Sequence, residues 1–275
     1  MKIARIFPRR TRATPDDGLA FTTRPPKVLP DIDEVRVSVT FSYDIEKAER
    51  LAENWAKIGL PVTIGGPALN TPAGDFVPGL FLKNGYTITS RGCPSTSGNC
   101  WFCSTPRREG SIRELPIMPG FNVLDSNLLA TSENHIRKVF AMLKNQPERP
   151  ILTGGLEARR IKGWIVDLLR ESKTKRFYCA YDCDSDLEPL VYAGQLLRDG
   201  GISKKSQTAR CYVLIGYPGD TMDNAEKRLR QAWVAGFFPF SMLYRNEQGI
   251  VNADWAKMQR CWTRPHIVHS MLKVT

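Results

Sequence analysis

The run VRVSVTF (35–41) alternates apolar and polar side chains, the period of a strand with one face buried. Behind it, Asp44 can cap a helix through about Lys57, in which Ala48, Leu51, Ala52 and Trp55 recur at i, i+3, i+4 and i+7. The segment LPVTIGGPA then predicts a short strand closing on a glycine turn. Together these make one β-α-β unit, so residues 1–80 read as a small N-terminal α/β segment. Within it, residues 7–34 are rich in Pro, Arg, Thr and Asp and predict an irregular arm.

From residue 81 the pattern changes to a regular strand–helix alternation. Predicted strands are Tyr86–Ser90, Phe121–Leu129, Pro150–Thr153, Phe177–Tyr181, Arg210–Ile215 and Phe238–Tyr244, with helical stretches near 133–145, 160–171, 186–198 and 221–235. Six strands joined by crossover helices imply a parallel α/β sheet with right-handed connections. Six is short of a closed eight-stranded barrel, so residues 81–275 predict an open, partial (β/α)6 barrel ending in a helical tail. Its chemistry is expected at the C-terminal ends of the strands.

Composition changes this picture only in part. Hydrophobic residues at 42% and charged residues at 24% are ordinary globular values. No apolar run reaches the roughly 20 residues of a membrane-spanning helix, and MKIARIFPRR lacks a signal-type apolar stretch, so a soluble, cytoplasmic protein with no membrane partner is expected. Lys and Arg number 39 against 28 Asp and Glu, a net +11, a field that attracts polyanions such as a nucleic acid or nucleotide, the rival reading being that these charges are merely solvated.

Seven cysteines, an odd number, make a disulfide framework improbable and a metal or redox site the better reading. Three of them lie in TSRGCPSTSGNCWFCSTPRREG, directly after the first strand of the alternation, spaced C-x6-C-x2-C. A structural zinc site wants four ligands, and no fourth Cys or His lies nearby; His135 is far downstream. A 4Fe–4S cluster on Cys93, Cys100 and Cys103 would instead keep one iron open. Cys179 and Cys183, four apart, read as structural rather than as a second cluster.

Here the chain resembles the radical S-adenosylmethionine superfamily. Its members bind a 4Fe–4S cluster on three cysteines, usually spaced C-x3-C-x2-C, and S-adenosylmethionine chelates the open iron. The resemblance spans about residues 86–245; SRGCP and PRREG look most like the branch of methylthiotransferases and cobalamin-associated members. This loop is three residues longer than the usual one, within STSGN. The resemblance implies that Phe102, just before the last cysteine, packs by the adenine. CYVLIGYPGDT resembles the superfamily's I-G-x-P-G-E-T, with Asp220 for Glu, and implies that backbone near Ile215 and Gly216 faces the adenine.

Other strand ends carry further candidates for contact with S-adenosylmethionine. Asp125 and Asn127 either accept from the ligand ammonium or close an Asx turn. Gly154, Gly155, Glu157 and Arg159 follow the third strand, where glycines allow close backbone approach and Arg159 can fork onto a carboxylate. Asp182 either bonds ribose hydroxyls or caps the next helix. No side chain is singled out as catalytic. The N-terminal segment resembles a shrunken cobalamin-binding domain, but it lacks D-x-H-x-x-G and contains no histidine. It also lacks the additional cysteines of the methylthiotransferases.

Pro106–Glu109 and Arg113-Glu114 read as solvated loop charges, with substrate phosphates as the rival partner. MQRCWTRPHIVHS, with its interleaved aromatic and basic residues, reads as part of a helix packed on the barrel through Trp255 and Trp262, with stacking on a base as the rival. The expected function is therefore reductive cleavage of S-adenosylmethionine and hydrogen abstraction from a substrate, with a flavodoxin or ferredoxin as reductant. The rival class is a basic, zinc-stabilised nucleic-acid-binding module without catalysis.

Overall fold

The computed structural model describes residues 1–71, 76–94, 100–246 and 248–273. The STSGN insertion and its three extra residues lie outside these. The chain is mixed α/β, built on two parallel sheets. The first contains β1 (Ile3–Ile6), β2 (Ala20–Phe21), β3 (Glu34–Ser38) and β4 (Val62–Gly65), in the order β2-β1-β3-β4, with every pair parallel. Helix α1 (Ile45–Ala56) crosses from β3 to β4. Its Ala48, Leu51 and Trp55 pack on Ala4, Ile6, Val35 and Val37, the alternate positions of β1 and β3.

β1 and β2 correct the reading of this region. The presumed arm supplies an edge strand, and a four-residue strand precedes it. β1 is short, and its outward Arg5 interrupts the apolar run. That guanidinium is buried yet paired, donating to Asp17 and to the carbonyl of Gly79 at 2.8 Å.

The second sheet follows the sequence in order. After β5 (Tyr86–Thr87) the chain leaves it as an antiparallel ribbon, β6 (Ser90–Arg91) with β7 (Arg113–Glu114), which carries α2 (Thr105–Glu109). It returns as β8 (Asn122–Val123), then α3 (Glu133–Lys144), β9 (Ile151–Leu152), α4 (Gly163–Glu171) and β10 (Arg176–Ala180). The remaining elements are α5 (Leu187–Asp199), β11 (Ala209–Ile215), α6 (Met222–Val234), β12 (Phe238–Leu243), α7 (Ala253–Trp262) and α8 (Pro265–Lys273). The sheet order is β12-β11-β10-β9-β8-β5, all parallel.

Local signals explain the helix starts. Ser132 accepts from the backbone N–H of His135 at 3.2 Å, and Thr221 from that of Asn224 at 3.2 Å, each satisfying an otherwise orphaned donor. The core runs between sheet and helices through Val139, Phe140, Leu152, Phe177, Val213, Leu229 and Phe238. Trp262 is buried with it, as the packed-tail reading expects. Among the described residues, no helix is long and apolar enough to cross a membrane.

The predicted strand 121–129 shrinks to two residues. Gly154 passes so close that a Cβ there would lie 2.1 Å from the carbonyl oxygen of Asp125, so the chain after Val123 has turned beneath the next strand end. Tyr86–Ser90 likewise divides, because Ser90 and Arg91 pair with β7 rather than with the sheet.

Candidate functional site

The cysteine loop starts as a constrained ribbon. Gly92 has φ +88°, a region that favours glycine, and a Cβ on it would lie 2.3 Å from the carbonyl oxygen of Ser111. Just beyond it, the Cys93 N–H donates to the Gly110 carbonyl at 3.3 Å, closing the base of the loop. At the far end, the Cys103 N–H donates to the Cys100 carbonyl at 2.9 Å.

The sheet holds the near end of this loop through Asp125. Its two oxygens accept from the Thr89 N–H and Thr89 hydroxyl, both at 2.6 Å, and from the Ser90 hydroxyl at 2.7 Å. Since the Thr89 hydroxyl donates to Asp125, its oxygen accepts from Nε2–H of His135 at 3.2 Å. Asp125 is 1% exposed. Burial pushes its pKa up, against the pull of those hydrogen bonds. This corrects the expectation that Asp125 meets an ammonium group: its acceptors are already occupied, and it anchors the loop.

All three cysteines face one cleft of ≈ 190 Å³. Asn127, Gly154, Gly155, Glu157, Arg159 and Asp182 line the same cleft, brought there by the ends of β8, β9 and β10. Two of the amide protons in this wall are accounted for: Asn127 Nδ2 donates to Glu157 Oε2 at 2.9 Å and to Cys93 Sγ at 3.6 Å. The opposite orientation would set Oδ1 against a carboxylate, so the amide direction is determined. Its Oδ1 is buried and has no partner among the described residues, an acceptor left for a ligand.

Glu157 is a hub rather than an open acceptor. Arg160 Nε meets Oε2 at 2.6 Å and Arg159 Nε meets Oε1 at 3.1 Å. Arg159 also reaches Asp186 at 3.4 Å, so its fork is shared between two carboxylates instead of waiting for one. Gly154 does provide close backbone approach, but to Asp125 and not to the cleft. Gly155, at φ +99°, is less crowded: a Cβ there would stand in ordinary contact, 3.7 Å from the Tyr178 carbonyl oxygen.

Phe102, Ile215 and Gly216 are not among the described residues that line this cleft, and Phe102 lies edge-on to Trp101 at 5.6 Å. The Ile215 carbonyl accepts from Tyr244 N–H at 2.9 Å, and the Gly216 N–H donates to Asp220 at 2.9 Å. The loop charges after the cysteines are not all solvated either. Glu109 is buried beneath Arg108 at 2.9 Å, with Arg113 at 3.8 Å and Arg91 at 3.9 Å. Two arginines followed by one glutamate in a short helix give no sign that this carboxylate turns inward.

Electrostatics set the resting state of the cleft. Burial, then Cys103, Asp182, Asp186 and Cys93, push the Cys100 thiol up to about 11. A cation that binds there must therefore displace a proton from it. Burial also pushes Cys179 and Cys211 up, the register partners of β10 and β11, which keeps them as inert thiols. Among the described residues, no three His, Cys, Asp or Glu side chains stand close enough together to hold a single metal ion as placed. The donor set nevertheless fits an iron–sulfur cluster with a polar organic ligand: three thiols on one loop, an orphaned buried acceptor beside them, and glycine backbone in the cleft wall.

Asp182 carries a prediction. Its Oδ1 accepts from the Leu214 N–H at 3.0 Å, while burial, and then Asp186, push its pKa up to about 6. The native state thus holds this proton more tightly than the unfolded chain does. Its stabilising contribution is full below pH 4 and is lost as the pH rises through 6. Asp182→Asn keeps the acceptor and removes the titration. Relative to wild type, the variant should gain about 2 kcal/mol between pH 4.5 and 7.5 in urea unfolding. Parallel stability–pH curves for the two proteins would refute it.

No family model matches the chain, and no curated protein matches it. Among solved structures, a phosphofructokinase-2 variant from Escherichia coli matches with a TM-score of 0.17 and 12% identity, over 86% of this chain and 53% of that one. The chain spans about half the length of that structure, and so slight a likeness carries no argument.

Proposed function

We propose that this chain is a radical S-adenosylmethionine enzyme in which Cys93, Cys100 and Cys103 hold a 4Fe–4S cluster. On this reading the six-stranded sheet is that superfamily's partial barrel. One observation carries it: three cysteines of a single loop share a cleft with side chains and backbone from the ends of three consecutive parallel strands. Ligand sites of parallel α/β sheets form at such strand ends.

When bound, the cluster and S-adenosylmethionine supply reductive cleavage of a carbon–sulfur bond and hydrogen abstraction from a substrate. The chain's own residues hold and orient. Asn127 donates to the Cys93 sulfur and offers Oδ1 to the ligand ammonium. The Gly155 backbone lets the ligand approach, and Asp182 accepts from ribose hydroxyls. Glu157 and its two arginines keep the Asn127 amide in one orientation. A flavodoxin or ferredoxin supplies the electron, and the +11 charge favours a nucleic acid or nucleotide as substrate.

The test is anaerobic: reconstitution with iron and sulfide, reduction, addition of S-adenosylmethionine, and detection of 5′-deoxyadenosine. The wild type is expected to be brown and to form it, and Cys93→Ala, Cys100→Ala and Cys103→Ala to lose both properties. A colourless protein with stoichiometric zinc and no 5′-deoxyadenosine would replace this reading with the zinc-stabilised binding module.

A further inference from the structure

Outside the cleft, a continuous row of aromatic and arginine side chains runs from the cysteine loop to the first sheet. Trp101 lies between Cys100 and Phe102 and is 58% exposed, an unusual state for an indole. It is set edge-on against Tyr217 at 5.8 Å and tilted against Tyr244 at 5.6 Å, residues that follow β11 and β12. The next residue, Arg245, has its guanidinium 5.4 Å from the Tyr43 ring. Tyr43 stacks on Phe41 at 5.3 Å, 6° from parallel, and Arg9 lies 5.3 Å from the same ring. Gly249 seats the loop after β12 against Tyr43, which joins the two halves of the row.

Topology places this row at one edge. Phe41 and Tyr43 follow β3, so both parallel sheets turn their C-terminal ends toward it. Phe41 and Phe102, at 37% and 36% exposure, leave ring faces to solvent at either end, with Trp101 beside the cleft. Exposed aromatic faces interleaved with guanidiniums suit bases that stack and phosphates that pair. Duplex bases already stack on one another, so such faces discriminate in favour of a single strand. Arg9 is held by Asp44 through two contacts of 2.8 and 2.9 Å, which fixes its position. Arg245 is exposed.

We propose that this row binds single-stranded nucleic acid. Bases stack on Trp101, Phe102 and Phe41, while Arg245 meets the backbone. The strand then crosses the mouth of the cysteine cleft. Binding itself is independent of the cluster; only delivery of a nucleotide to radical chemistry rests on the function proposed above.

The test is fluorescence anisotropy of the full chain, as purified and without added iron or S-adenosylmethionine, against a labelled single strand of about 12 nucleotides and its duplex. Single strands of RNA or DNA should bind more tightly than the duplex. Trp101→Ala and Phe41→Ala should each weaken binding roughly tenfold, and Trp101→Phe should restore part of the loss. Arg245→Ala should lower the slope of log affinity against log salt by about 0.7 on the single strand. All three sites are exposed, so unchanged thermal melting is the folding control. Equal affinity for duplex and single strand, competition by a free mononucleotide at the strand's own affinity, or wild-type binding by both aromatic variants would each overturn the proposal. Failure of 5′-deoxyadenosine formation leaves this result standing, and the reverse also holds.

Discussion

Asp125→Ala is expected to destabilise the protein by about 3 kcal/mol and to loosen the cysteine loop. The substitution removes a buried carboxylate that accepts three hydrogen bonds at 2.6–2.7 Å. The Thr89 N–H and the Thr89 and Ser90 hydroxyls lose their acceptor, while the Thr89 oxygen keeps its contact with His135. Each unsatisfied buried donor costs about 1–3 kcal/mol, and the burial that raises the Asp125 pKa offsets part of the sum. Asp125→Asn separates lost contacts from lost shape. Its oxygen can face the Thr89 N–H, and both hydroxyls can rotate to accept from its amide, so it should cost about 1 kcal/mol. The urea midpoint measures stability, and the rate of thiol labelling at Cys93 reports the loop. An Ala variant with wild-type midpoint and labelling rate would show that Asp125 does not anchor the ribbon.

Asp125 also shows where sequence reasoning stopped. The alternation of strands and helices was legible from residue 81 onward, because each helix presents a full apolar face and each strand a short buried run. All six predicted strands have a counterpart, and they pair in sequence order. The clustering of Cys93, Cys100 and Cys103 with Asn127, Gly155, Glu157 and Asp182 is equally visible as a set of strand ends. The direction in which each polar side chain turns is not. Asp125 and Asn127 stand two apart, yet one points under the ribbon and the other lines the cleft. That difference follows from the close passage of Gly154, a contact between backbones far apart in sequence. Glu109 eluded reading for a similar reason, since three arginines from α2, β6 and β7 converge on it only after the ribbon has formed. β1 escaped because four residues with an arginine among them give too little periodicity to detect.

Asp220→Ala should be the more damaging change, at about 3–5 kcal/mol. In the turn after β11, Asp220 accepts from the N–H groups of Gly216 at 2.9 Å and Thr221 at 3.0 Å, closing the loop that starts α6. It also takes Arg228 Nη2 at 2.9 Å, with side-chain exposures of 1% for Asp220 and 8% for Arg228. Arg228 donates as well to the Leu214 carbonyl at 2.9 Å, and its guanidinium lies 5.3 Å from the Tyr217 ring. Without Asp220 this cation stays buried and uncompensated, which is the costly half of breaking an enclosed pair. Removing the charge too should therefore relieve much of the loss. Asp220→Ala/Arg228→Met should be more stable than Asp220→Ala alone, and a double-mutant cycle from urea unfolding gives the coupling. Additive single losses would mean that the pair contributes through separate contacts. A strong coupling would explain why a carboxylate stands at this place in Gly-Tyr-Pro-Gly-Asp-Thr: it anchors the strand end that places Asp182 in the cleft through the Leu214 N–H. Its role in this chain is then to hold the turn, with no ligand contact required.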